Sequence, residues 1–137
     1  VTVGDTSAQI ILDTSALMAI LLGEAGSERL MHAIETADSL SMSAGTLAEA
    51  LIVAGRRAIG REMAQLVAEL GIEIVPVTAV GAAAVADAYG TWGKGIHPAG
   101  LNFGDCFAYA LAREEAAALL FAGKDFCRTD VKPAVVP

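Results

Sequence analysis

Short apolar runs, each stopped by glycine, proline or an acid, alternate along the chain with longer stretches whose apolar residues recur at helical spacing. Ile10-Ile11-Leu12 has no polar alternation, so it reads as a strand buried on both faces, and it ends abruptly at Asp13-Thr14-Ser15. Residues 16–22 read as a helix, 23–26 as a break, and 27–37 as a second helix with Leu30, Met31 and Ile34 on one face. A short second strand over 38–42 leads to an apolar helix over 44–59, then to a helix over 61–70 closed by Gly71. The third strand covers 72–77, with Pro76 marking an edge or an exit. An alanine-rich helix over 80–89 and a glycine-rich loop over 90–100 follow. A helix from Asn102 to about residue 117 precedes a fourth buried strand over 118–122, and residues 133–136 are expected to add a last edge strand.

Strands alternating with helices imply a parallel sheet with right-handed crossovers. The expected fold is α/β, a three-layer α/β/α domain around a central parallel sheet of four to five short strands. At 137 residues the chain fits one domain over residues 10–137, with residues 1–9 a flexible start or an added remnant. Asp5-Thr6-Ser7-Ala8 repeats Asp13-Thr14-Ser15-Ala16, but only the second copy follows a strand. The tetrapeptide alone therefore says nothing about function.

What matters is which side chains share the carboxyl edge of the sheet, where ligands bind in open α/β folds. Asp13 ends the first strand, and Asp125 lies just past the fourth. Glu49 stands in the first turns of the helix after the second strand, and Asp105 in the first turn of the helix that returns to the start of the fourth. All four acids are thus expected at one end. Each has an ordinary use too: Asp13 as a helix cap, Thr46 to Glu49 and Asn102 to Asp105 as capping boxes, and Asp125 as a turn residue. Glu49, however, is the only charge between Asp38 and Arg56, and four acids at one edge repel unless cations neutralise them. Oxygen ligands of this kind suit Mg²⁺ or Mn²⁺ rather than zinc, and paired ions there would support hydrolysis of a phosphodiester. His32 and His97 lie outside the constellation, so metal activation replaces a histidine base.

Composition narrows the picture. Nine basic residues against 16 acidic ones leave a formal charge of −7, which argues against gripping nucleic acid through a basic surface but not against carboxylates gathered around cations. Hydrophobic residues make up 55% before the 14 glycines are counted, so some apolar surface is expected to await a partner. No apolar run has the roughly 20 residues of a membrane span, and no signal-peptide pattern opens the chain, so a cytoplasmic protein is expected. Cys106 and Cys127 match no zinc or redox spacing and read as free, partly buried thiols.

The segments Ile11 to Leu17, the isolated Glu49, Leu101-Asn102-Phe103-Gly104-Asp105-Cys106-Phe107-Ala108-Tyr109-Ala110, Leu120 to Phe126, and Thr129-Asp130 together resemble PIN-domain ribonucleases of the VapC toxin family. The resemblance runs from Ile10 to about Val136. It implies a Mg²⁺- or Mn²⁺-dependent endoribonuclease toxin, usually dimeric, acting on RNA and inhibited by a cognate VapB-type antitoxin in a hetero-oligomer. It maps the catalytic acids to Asp13, Glu49, Asp105 and Asp125, with Ser15, Asn102 and Asp130 in support. Asp13, Asp105 and Asp125 would then hold metal, Glu49 would bind metal or orient water, and Ser15 and Asn102 would steady the carboxylates. Thr14 would act similarly through the backbone.

Lys124 and Arg128 are the candidate RNA contacts near the acids, while Arg56, Arg57 and Arg61 either track a phosphate backbone or form a solvated face. Trp92, with Tyr89 nearby, either packs its loop or stacks on a base; packing is favoured. The apolar faces of residues 16–34 and 47–66 are the expected antitoxin groove. A catalytically silent PIN-fold module that binds RNA or protein is the main alternative. An aspartyl phosphotransferase built on Asp13 is a second, weakened by Ser15 standing where that chemistry wants another acid.

Overall fold

The computed structural model describes residues 8–136. Four strands, β1 (Gln9–Leu12), β2 (Ser39–Ser43), β3 (Glu73–Val75) and β4 (Ala118–Leu120), form a parallel sheet in the order β3-β2-β1-β4. Six helices connect them: α1 (Thr14–Leu22), α2 (Ser27–Thr36), α3 (Ala44–Arg56), α4 (Gly60–Glu69), α5 (Ala79–Trp92) and α6 (Phe103–Glu114). The expected three-layer α/β/α architecture is the one observed.

Alternation along the strands divides the core in two. Ile10 and Leu12 of β1 and Leu120 of β4 join Leu17, Ile34, Ala50 and Met63 on the side of α1 to α4. Ile11 and Leu119 face the other way, onto Val85, Leu101, Ala108 and Phe126 beside α5 and α6. A strand covered on both faces needs apolar residues at every position, which is why Ile10-Ile11-Leu12 is unbroken.

The boundaries differ from the sequence expectation for local reasons. Gln9 is already paired with Ser39, and Ala8 donates its N–H to Asp38 Oδ2 at 2.7 Å, so the first strand starts inside the segment expected to be flexible. Residues 1–7, including the first Asp-Thr-Ser, lie outside the described residues. Helix α3 stops at Arg56, short of 59, because Ala58 takes a left-handed φ of 60° and Ile59 N–H turns back to Ala54 O. Ala116, with φ 51°, ends α6 in the same way before 117. Pro76 lacks an N–H and closes β3 after Val75, at an edge of the sheet as expected.

In the other direction, α5 runs through the expected loop as far as Trp92, whose indole N–H donates to Tyr109 Oη at 2.9 Å and whose ring meets His97 edge-on. That pairing bears out packing as the role of Trp92. The expected last strand reduces to one parallel bridge between Leu119 and Pro133, since proline has no N–H to extend a ladder. Cys106 is buried and Cys127 exposed; both are free. Ile52, Val80 and Phe103 are more than half exposed, apolar surface of the kind the composition called for. Among the described residues no helix is long and apolar enough to cross a membrane.

Helices α3 and α6 approach so closely that a Cβ at Gly45 would overlap the Phe107 ring, whereas a Cβ at Gly55 in the same helix meets open space. Gly45→Ala is therefore expected to destabilise the fold by about 1–3 kcal/mol. Gly55→Ala, relieved of glycine's helix penalty, is expected to stabilise it by up to about 1 kcal/mol. Urea unfolding of the two variants beside the parent chain measures both signs.

Candidate active site

At the carboxyl edge the chain leaves β1 through Asp13, the N-cap of α1. The main chain stays tied to the sheet, with Asp13 N–H donating to Leu120 O at 3.0 Å. The side chain turns to the helix: Asp13 Oδ2 accepts from Ser15 N–H at 3.1 Å and from Ser15 Oγ at 2.7 Å. Ser15 Oγ in turn accepts from Ala122 N–H at 3.0 Å. That last bond explains why β4 ends at Leu120 rather than 122: the next available strand donor is spent on a side chain of α1.

Glu49 reaches the same edge from α3. It is not part of a capping box with Thr46, as the sequence suggested. The cap of α3 is Ser43, which accepts from Gly45 N–H, and Thr46 is fully buried with its own hydroxyl unbonded. Glu49 is instead held from α1, its Oε1 accepting from Thr14 Oγ1 at 2.7 Å. Thr14 thus acts through its side chain, where a backbone role was expected. Gly104 makes room for this carboxylate, because a Cβ there would fall inside contact distance of Glu49 Oε2.

Asp105 sits in the first turn of α6 and does form the expected capping box. Asn102 Oδ1 accepts from Asp105 N–H at 2.8 Å, and Asp105 Oδ2 accepts from Asn102 N–H at 3.0 Å. Capping and site membership are therefore not alternatives for Asp13 or Asp105; each does both.

Asp13, Thr14, Ser15, Glu49, Asp105 and Asp125 line one cleft of about 400 Å³. Met18, Leu22 and Val53 give it an apolar wall, and Glu24 and Arg57 complete it. Burial pushes the Asp13 carboxyl up to about 7 against the opposing bonds from Ser15, with Asp105 and Glu49 raising it further. Burial likewise raises Asp105 to about 6, its capping bond opposing and Asp125 and Glu49 adding to the rise. The acids thus sense one another's charge across the cleft. Asp13 is only 3% exposed, and its Oδ1 has no hydrogen-bond partner.

The remaining expected site residues separate. Asp130 lines a different hollow, further along α6, accepting from Tyr109 Oη and pairing with Arg113 at 3.5 Å. Lys124 lines a neighbouring hollow with Arg29 and Leu30, not the acid cleft, and Arg128 is exposed away from it. Of the three arginines considered, Arg57 alone lines the cleft. His97 Nδ1 accepts from Ala99 N–H and His32 is exposed on α2, and neither histidine lines the acid cleft. Two residues escaped the sequence reading. Glu24 carried no signal beyond a turn; Gly104 did, as a glycine inside a helical turn where its low propensity needs a packing reason.

The donor set is all oxygen, which fits a hard divalent cation. An unbonded, buried Asp13 oxygen is the strongest single sign of such a fit. Among the described residues, no three His, Cys, Asp or Glu side chains stand close enough as placed to ligate one ion. The fit is thus one of donor chemistry and shared cleft rather than of preformed coordination.

Residues 10–132 match the family model for the PIN domain. A Mycobacterium tuberculosis protein named ribonuclease VapC42 is 41% identical over 129 residues, covering 91% of this chain and 98% of its own. Ribonuclease VapC30 of the same organism is 40% identical over 131 residues, covering 93% and 100%. Among solved structures, Mycobacterium tuberculosis VapC20, described as a sarcin-ricin loop cleaving toxin, superposes with a TM-score of 0.73 at 19% identity, covering 93% of this chain and 99% of that one. A toxin-antitoxin complex from Klebsiella pneumoniae follows at 0.68 and 16%, covering 93% and 96%.

The sign of the Asp13 shift makes a prediction for protein stripped of divalent cations by chelator. Between the unfolded value near 3.8 and about 7, the folded chain holds a proton that the unfolded chain has lost. Its contribution is fully present below the lower value and is lost as pH rises through the upper one. Thermal unfolding of the chelated protein should therefore give a Tm that falls between pH 5 and pH 7.5. Asp13→Asn should reduce that dependence to the share left by Asp105, which is complete near pH 6, and raise Tm at pH 7.5 by at least about 3 °C; an unchanged pH slope would contradict the assignment.

Proposed function

The chain belongs to the PIN-domain family and, within it, to the VapC ribonucleases, and from that premise we propose that the acid cleft hydrolyses RNA phosphodiester bonds with Mg²⁺ or Mn²⁺ held by Asp13, Asp105, Asp125 and Glu49. The protein is an endoribonuclease toxin. The observation that carries the reading of the site is the meeting of four acids from four separate segments in one cleft, with a buried Asp13 oxygen left unbonded.

Divalent cations bound there supply Lewis-acid polarisation of a phosphoryl oxygen and a lowered pKa for the attacking water. The chain's own residues prepare the place. Ser15 Oγ donates to Asp13 and accepts from Ala122, just past β4, so one Asp13 oxygen is fixed and the other remains free to ligate. Asn102 restrains one Asp105 oxygen in the same way. Thr14 orients Glu49, the carboxylate least buried of those three, toward ligation or toward the attacking water. Arg57 is the cation of the cleft and takes a substrate phosphate; Lys124 and Arg128 extend that contact along the strand outside it.

The inhibitor uses the same region. A VapB-type antitoxin segment lies along the apolar faces of α1 to α4, where Met18, Leu22 and Val53 border the acids, and carries a basic side chain toward them. The working state is a cytoplasmic homodimer that joins the antitoxin in a hetero-oligomer.

Cleavage of structured RNAs, including tRNA and ribosomal fragments, tests the site. The wild-type chain should cut with Mg²⁺ or Mn²⁺ and not with chelator, and Asp105→Asn should lower the rate at least about 100-fold while remaining folded. Equal behaviour of the two proteins would remove Asp105 from catalysis, and inactivity of both across the panel would favour a silent binding module. Arg57→Gln is expected to raise KM several-fold with kcat nearly unchanged, and to reduce the slope of log affinity against log salt by about 1.

A further inference from the structure

Asp125 is exposed on the segment that follows β4, and no side chain bonds it in place among the described residues. Its position depends on how that segment is tied down. The entry is held by the Ala122 N–H bond to Ser15 Oγ, and the middle by Phe126, 2% exposed and packed on Phe121 at 5.2 Å. The exit is held by Asp130, which accepts from Tyr109 Oη, and by Val131, buried in the core beside α6. Thr129 braces the turn between them, donating from Oγ1 to Phe126 O at 2.7 Å and accepting from Val131 N–H at 3.3 Å.

Tyr109 is four residues after Asp105 on α6, so the two share a helix face one turn apart. Its hydroxyl bonds in both directions: it accepts from Trp92 Nε1 and donates to Asp130. The single helix that presents Asp105 to the cleft therefore also grips the segment that presents Asp125, and Trp92 anchors the end of α5 to the same point.

We propose that Tyr109 and Asp130 are positioning residues of the acid cleft, their hydrogen bond setting where Asp125 stands relative to Asp105 and hence how strongly the pair holds a divalent cation. This rests on the metal-binding reading of the cleft. It also gives Asp130 a part at a distance from the acids rather than among them. The exposed Arg113 pair at 3.5 Å, with both side chains about half exposed, is incidental to it.

Mn²⁺ titration followed by electron paramagnetic resonance tests the proposal without relying on cleavage. Tyr109→Phe, which keeps the ring and removes only the donor hydroxyl, and Asp130→Ala, which removes the acceptor, should each raise the Mn²⁺ dissociation constant about 10-fold. The double variant should be no weaker than the worse single one, because both changes break the same bond. Arg113→Gln should leave Mn²⁺ affinity unchanged. A purely structural role would lower Tm while leaving Mn²⁺ affinity within twofold of wild type, and that result overturns the proposal, as do additive effects. Asp130 is exposed, so Asp130→Ala keeps the test open if Tyr109→Phe fails to fold. A wild-type chain that binds Mn²⁺ but cuts no RNA would sink the nuclease mechanism and leave this test intact; one that binds no Mn²⁺ would sink both.

Discussion

Asp13 stands where β1 stops and α1 starts, and the position makes two demands on one carboxyl group. The helix needs an acceptor for its unpaired N–H groups, and the covered sheet edge takes that acceptor out of water. Capping is worth about 1 kcal/mol and favours the ionised form, while desolvation opposes it more strongly and raises the pKa to about 7. The result is a group that the fold requires and does not fully satisfy. An unbonded oxygen at a buried carboxylate is a standing cost that a cation removes.

The other acids arrive under related constraints, each held by a neighbouring polar group rather than left free to move apart. Ser15 links Asp13 to β4, Thr14 links Glu49 to α1, and Asn102 links Asp105 to its own helix start. Such bonds resist the mutual repulsion that would otherwise spread like charges into solvent. Close packing does the rest: glycine at 45 lets α3 lie against Phe107, and glycine at 104 leaves space for the Glu49 carboxylate. The cleft is thus a product of helix capping and helix packing, with few residues given over to it alone.

Substrate contact follows a different logic. Under the proposed mechanism a chain of formal charge −7 would take its hold on RNA from metal at the acids and from individual cations such as Arg57 at the rim rather than from a basic surface. The apolar wall formed by Met18, Leu22 and Val53 beside those acids would give the proposed inhibitor something that RNA phosphates do not use. In that proposal one cleft offers separate handles to a substrate and to an antitoxin.

The sequence by itself determined the layers and the edge. Unbroken apolar strands, amphipathic helices between them and the rule that a helix entering a parallel strand starts at the carboxyl edge were enough to bring Asp13, Glu49, Asp105 and Asp125 to one end, because these depend on local periodicity and chain direction. Only the tertiary structure decided which polar group serves which acid. Thr14 donating to Glu49, Ser15 bonding Ala122, Gly104 sparing Glu49 and Tyr109 holding Asp130 are all contacts between residues or segments whose pairing no local pattern encodes. The helix ends near Ala58 and Ala116 have a local cause instead, a left-handed residue after which the next N–H turns back to the helix, and the misread capping box at Thr46 has a local rival in Ser43. For the partners of the acids, by contrast, composition permitted several outcomes and only long-range packing selected one.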